Sequence, residues 1–155
     1  MVYDLYEGYF QSVYKNLSTL AAVTAAFPVA FGNLPVRSMK KFLEAVSTIF
    51  PHTQSACEAL ELARKFRTLL DHPAGAQVSN WMTYHQPDGR GLTIIHFGNA
   101  GATGNIPEGA VKITWHFPLE ADWVFDLPDI LIIDGALREL TEVIFSKLSV
   151  TELLN

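Results

Sequence analysis

Up to Gly75 the apolar residues of this chain recur every three or four positions, and beyond it they alternate one by one. A repeat near 3.6 buries one face of a helix, whereas a repeat of two buries one face of a strand. The change of period therefore divides the chain into a helical half and a strand-rich half. Leu5, Tyr9, Phe10, Val13, Leu17, Leu20 and Ala21 share one face of a first helix, which Pro28 and "FGNLP" end. Met39, Phe42, Leu43, Val46, Ile49 and Phe50 form the stripe of a second, with Arg37, Lys40, Lys41 and Glu44 facing away and Pro51 as its stop. A third starts near Thr53, with Ser55 and Glu58 spaced as a capping box, and turns Ala56, Ala59, Leu60, Ala63, Phe66 and Leu70 inward until Pro73.

The second half reads as strands about turns. "VSNWMTYHQPDGRGLTIIHFG" is two runs around "PDGR"; "VKITWHF" alternates Val111, Ile113, Trp115 and Phe117 with polar residues; "DWVFDL" sets Trp123, Phe125 and Leu127 on one side. "DILIID" is either a further short strand or the approach to a last helix, capped by Asp134 and carrying Leu137, Leu140, Ile144 and Leu148. The expected fold class is α+β: an N-terminal three-helix layer, an antiparallel three- or four-stranded meander and a C-terminal helix. At 155 residues these form one domain, 1–155, with a helical half at 1–75, a meander at 76–133 and a closing helix at 134–150.

Charge is unevenly placed. The net charge is −5, yet residues 36–72 carry six basic and four acidic side chains, while residues 73–155 carry four basic and ten acidic ones. This excludes a general nucleic-acid coat and leaves one local basic segment. The single cysteine, Cys57, excludes an internal disulfide framework, so a cytoplasmic location is expected. Between Lys15 and Arg37 the chain has no charge, and a membrane span needs about 20 apolar residues. Ser18, Thr19, Thr24, Pro28, Gly32, Asn33 and Pro35 interrupt that window, so no membrane association is expected, and the alanine-rich helix reads as one that packs closely on another.

Several constellations bear on chemistry. Gly98, Gly101 and Gly104 lead into a strand, with no Walker lysine, which speaks for a hairpin loop against a phosphate loop. His85, His96 and His116 fall on successive strands, but a turn at Asp88 and Gly89 sets His85 opposite Leu92 and His96 opposite Trp81, about 13 Å apart along the sheet. They do not share a metal in that register, and no metal or cofactor is expected. Trp81, Tyr84, His85, Trp115, His116 and Trp123 would line a small-ligand pocket if sheet and helices enclosed one. Cys57 lies on the apolar side of its helix and reads as a small buried hydrophobe.

The remaining stretch is "ARKFRTLLDHPAG", residues 63–75. Positions five apart on a helix diverge by about 140°, so Arg67 and His72 do not face each other on a continuous helix. Pro73 forces the residue before it out of the helical region, which puts His72 at the helix end with a changed backbone direction. The stretch "RTLLDH" resembles the signature of the HEPN superfamily, small helical proteins marked by Arg, four to six residues, then His. Active members are dimeric, metal-independent RNA-cleaving enzymes of toxin–antitoxin and antiviral systems. The resemblance covers the helical half and implies His72 as general acid or base and Arg67 as the stabiliser of phosphate charge. It also implies Arg64, Lys65, Arg37, Lys40 and Lys41 as guides for the RNA backbone, a homodimer across the alanine-rich first helix, and an antitoxin-like protein partner. Thr68 stands where active members commonly carry Asn, His or Asp. Two other readings stand beside it. In one, the basic residues are the favoured charges of a helix C-terminus, with Asp71 pairing Arg67 or His72; in the other, the chain is a non-catalytic protein-interaction module.

Overall fold

Short breaks of the kind the sequence supplies set the helices. In a computed structural model the backbone is described for residues 2–71, 78–85, 91–97, 111–113, 122–125 and 130–153, and side chains for 7–68 and 130–151. Helix α1 is Val2–Ala26; α2 is the single turn Pro28–Phe31, begun by a proline whose missing N–H costs nothing there. Gly32 ends α2 with φ +69, a left-handed backbone that glycine adopts without strain. Helix α3, Met39–Ile49, starts at Ser38, whose Oγ accepts from the Lys41 N–H at 3.4 Å. A 3-10 turn, Pro51–Thr53, passes the chain into α4, Gln54–Asp71, and the last helix, α5, is Ile130–Leu153.

These helices bury one another. Phe10, Val13 and Leu17 of α1 meet Phe42, Leu43 and Val46 of α3, Leu60, Ala63 and Phe66 of α4, and Ile133, Leu140 and Ile144 of α5 in a single core. Helix α4 lies in the middle, packed on α1, α3 and α5. Its alanines Ala56, Ala59 and Ala63 are buried and bring little bulk, which lets the neighbouring backbones approach. The Phe66 ring meets Phe10 edge to face at 4.8 Å between centroids. Thr24, fully buried, donates to the Ala21 carbonyl at 2.8 Å, so its hydroxyl is not left unpaired.

This body corrects the expected α+β class. Among the described residues the helices pack extensively on one another, and no helix–strand contact of comparable extent is found among them. The finding points to an all-helical fold in place of a helical layer laid on a sheet. The physical reason is that alternation defines a strand face but not what covers it. Here the helical faces are already closed against each other by α5, which was expected only as a lid.

The backbone between α4 and α5 includes four strand segments inserted into this helical body: β1 Val78–His85, β2 Gly91–Phe97, β3 Val111–Ile113 and β4 Asp122–Phe125. All pairings are antiparallel, and the order is β1-β2-β4-β3, so the expected consecutive meander is also corrected. The register is one residue off the expected one. His85 pairs with Gly91, Tyr84 with Leu92 and Asn80 with His96, because the ladder closes on His85 and Gly91 instead of a two-residue turn at Asp88 and Gly89.

Three further expectations change. Helix α5 begins at Ile130, so "ILIID" is helical and Asp134 sits inside the helix, where it accepts from the Tyr9 hydroxyl at 2.8 Å in place of capping. Ser55 lies within α4, and Glu58 accepts from the Gln54 amide at 3.0 Å, so the two do not form the expected capping box. Ile49 is 43% exposed because α3 ends there and the chain turns away at Phe50. Leu5 and Leu70 lie outside the described side chains.

Phe66→Ala is expected to cost about 3–5 kcal/mol of stability, the usual loss for deleting a buried aromatic ring. Urea unfolding followed by circular dichroism measures it; a loss under about 1 kcal/mol would mean that Phe66 is not at the centre of the core.

Candidate functional site

Helices α3 and α4 form a hairpin, which returns the end of α4 beside the start of α3. A groove of about 400 Å³ runs between them, with Ser47 and Gln54 near the connecting turn and Lys40 and Lys65 toward the other end. One residue from each of two basic segments thus lines the same groove: Lys40, from the exposed Arg37, Lys40 and Lys41, and Lys65, from Arg64, Lys65 and Arg67 on α4.

On α4 each residue advances about 100° around the axis. Arg64 therefore lies between Lys65, on the α3 side, and Arg67, on the α1 side, while the buried Phe66 points the opposite way. The two arginines of this arc are held differently. Arg64 chelates Glu61, its Nε and Nη2 donating to the two carboxylate oxygens at 2.7 and 2.8 Å. Arg67 reaches across to α1, where its Nε and Nη2 donate to the single oxygen of the Gln11 side chain at 3.3 and 3.4 Å. Its guanidinium lies over the Tyr14 ring, 4.2 Å from the centroid. Thr68, which follows it, donates to the Arg64 carbonyl at 3.0 Å. A planar cation stacked on an aromatic face and hydrogen-bonded along one edge is fixed in its plane.

His72, and the side chain of Asp71, lie outside the described residues, so the expected convergence of Arg67 with His72 concerns a residue the structure does not describe. What the sequence reading missed is the acid in the groove. Glu44, Glu58 and Glu61 line it together with Lys40 and Lys65, above Leu43 and Leu62. Segment charge concealed this, since a net count does not say which charges share a wall. Gln11 and Tyr14 were also missed. Their three-residue spacing places them on one face of α1, but nothing in the sequence ties that face to a residue 56 positions away.

Cys57 is buried, as its place on the apolar side of α4 implied, with its Sγ 3.7 Å from the Thr53 hydroxyl. Burial pushes its thiol up from the ordinary 9.0; Glu139 and Glu58 push the same way and the Thr53 contact opposes them.

Of the second-half candidates, His85 and His96 are placed by backbone register alone. His96 pairs with Asn80, five residues along β1 from His85, roughly 16 Å. His116, Trp115 and the glycines Gly98, Gly101 and Gly104 lie outside the described residues. So do the side chains of Trp81, Tyr84 and Trp123. Among the described residues no group of three or more His, Cys, Asp or Glu is placed to hold a metal ion, and no helix is long and apolar enough to cross a membrane. Comparison with protein-family models, curated proteins and solved structures finds no match.

Native Cys57 is expected to react with iodoacetamide far more slowly than the same thiol in urea, since only the thiolate attacks and burial disfavours it. Below 9.0 both states keep the thiol protonated; above it the unfolded chain ionises first, so this group lowers stability as pH rises. Equal alkylation rates in the two states would contradict the buried placement.

Proposed function

We propose that the chain is an HEPN-like domain that binds single-stranded RNA at the basic end of the α3–α4 hairpin and cleaves it without metal, using Arg67 and His72. The observation that carries this reading is that Lys40 and Lys65, one from each basic segment, line one groove of the hairpin, on the helix that also carries Arg67 stacked on Tyr14. Phosphates need cations gathered in one place, and Arg37, Lys40, Lys41 and Lys65 supply them while Arg67 faces the reacting group. His72 would move the proton between the attacking hydroxyl and the leaving oxygen, and Arg67 would stabilise the charge on the phosphate. In this reading the active form is a homodimer, to which the exposed alanines Ala22, Ala25 and Ala26 at the end of α1 offer a close-packing surface.

A second reading, a non-catalytic protein-interaction module, is favoured by the carboxylates of the groove. Glu44, Glu58 and Glu61 repel a phosphate backbone but suit a partner segment that brings basic residues to the rim and apolar ones to Leu43 and Leu62.

RNA cleavage in EDTA separates the two. Wild type is expected to cut, and Arg67→Ala and His72→Ala each to lose roughly 100-fold or more. If wild type leaves RNA intact, or both variants cut as well as wild type, the nuclease reading falls and the interaction module stands. Light scattering after size exclusion is expected to give twice the monomer mass; a strict monomer removes the composite site.

A further inference from the structure

We propose that the α3–α4 groove receives helix α5 of a second copy of this chain, with Arg138 entering between Glu44 and Glu58; this rests on the interaction reading of the groove and names its occupant. Two surfaces of the chain carry it, each with what the other needs. In the groove, Glu44 and Glu58 are exposed, one on each wall and each about two turns from the break at Phe50 and Pro51, so they stand at one level. Glu58 accepts from the neutral Gln54 amide at 3.0 Å, and among the described residues neither carboxylate forms an ion pair. Glu61, by contrast, is chelated by Arg64. On α5, Leu131, Arg138 and Phe145 follow at seven-residue steps and fall within about 40° of one another around the axis. They lie on the side away from the buried Leu140 and Ile144, with Leu131 79% and Phe145 50% exposed. Arg138 is exposed between them and forms no ion pair among the described residues. A cation framed by two large apolar side chains matches a groove that sets two carboxylates beside Leu43 and Leu62.

Helical rise fixes the register. With Arg138 at the level of Glu44 and Glu58 and α5 running from the turn toward the open end, Phe145 arrives about 10 Å further on, between Leu62 and the stem of Lys65. Leu131 arrives as far back, at the half-buried Phe50. Glu142, one turn after Arg138, reaches the level of Lys40, so charges alternate in step along the contact. The reverse direction would carry Glu142 to Ser47 and Gln54, which bring no charge. A helix is about 10–12 Å across, so a groove of about 400 Å³ takes only its outer row of side chains. Each copy carries both faces, and a closed pair makes the contact twice.

Light scattering after size exclusion, at several protein and salt concentrations, tests the inference. Wild type is expected to give twice the monomer mass, less readily at high salt. Arg138→Glu and the double variant Glu44→Arg/Glu58→Arg are each expected to weaken self-association roughly tenfold or more, because each sets like charges together. Mixed one to one, the two variants are expected to associate as wild type does, since each supplies the charge the other now needs. Phe145→Ser is expected to weaken association as well. Thermal melts identify any variant that fails to fold, and Arg138→Gln and Glu44→Gln/Glu58→Gln then carry the comparison, with smaller losses. A wild type that is monomeric at every concentration overturns the inference. An unrestored mixture of two variants that each dissociate overturns it too, since the charges then do not meet. If the groove variant changes the mass and Arg138→Glu does not, copies still join at the groove and the interaction reading stands, but α5 is not the occupant and the inference falls. If no variant changes the mass of a wild-type dimer, the inference falls and the copies join elsewhere, as at the alanines of α1.

Discussion

Everything described in this protein hangs on the packing of α4 between three other helices. Its inner side alternates small and large: Ala56, Ala59 and Ala63 admit neighbouring backbones, and Leu60 and Phe66 fill the space between them. Burying each of those large side chains is worth about 1.5–3 kcal/mol, so the position of α4 is set by strong, non-directional forces. Its outer side carries Lys65, Arg64 and Arg67. The surface chemistry inherits its geometry from the core, because a helix that cannot rotate cannot re-aim the residues on its far side.

The parts of the fold legible in the sequence are those governed by one helix at a time. Phe42, Leu43 and Val46 on α3, Leu60 and Phe66 on α4, and Leu140, Ile144 and Leu148 on α5 are all buried where a 3.6 repeat puts them. The prolines mark breaks by local chemistry that needs no knowledge of the rest. Class, strand order and register were not legible, since each depends on which face meets which, and periodicity is silent on partners. The one-residue slip in the β1–β2 ladder shows how little separates two registers that a turn motif alone cannot distinguish.

The candidate site divides along the same line. That basic residues gather near the end of α4 was readable; that Lys40 and Lys65 share a groove follows from the hairpin that Pro51 starts. Not readable were the companions. Glu61 occupies Arg64 within a single turn, a pairing the i,i+3 spacing permits but does not require. Arg67 reaches α1, 56 residues away, which no local rule anticipates. A count of charges treats these arginines as equal, while one is chelated by a carboxylate of its own helix and the other reaches a second helix.

The insertion of residues 72–129 between two helices that pack on each other has a consequence for how the chain reaches its fold. Contacts of α3 with α4 join neighbours in sequence, whereas the α1–α4 contact and the docking of α5 onto α4 each close a long loop. Loop closure costs entropy that grows only with the logarithm of length, about 0.6 kcal/mol per doubling. The α3–α4 hairpin can therefore assemble ahead of α1 and α5, and α5 completes the core by bringing in Ile133, Leu140 and Ile144. The same logarithm makes this insertion the place where the chain can lengthen or shorten at least expense to the helical body around it.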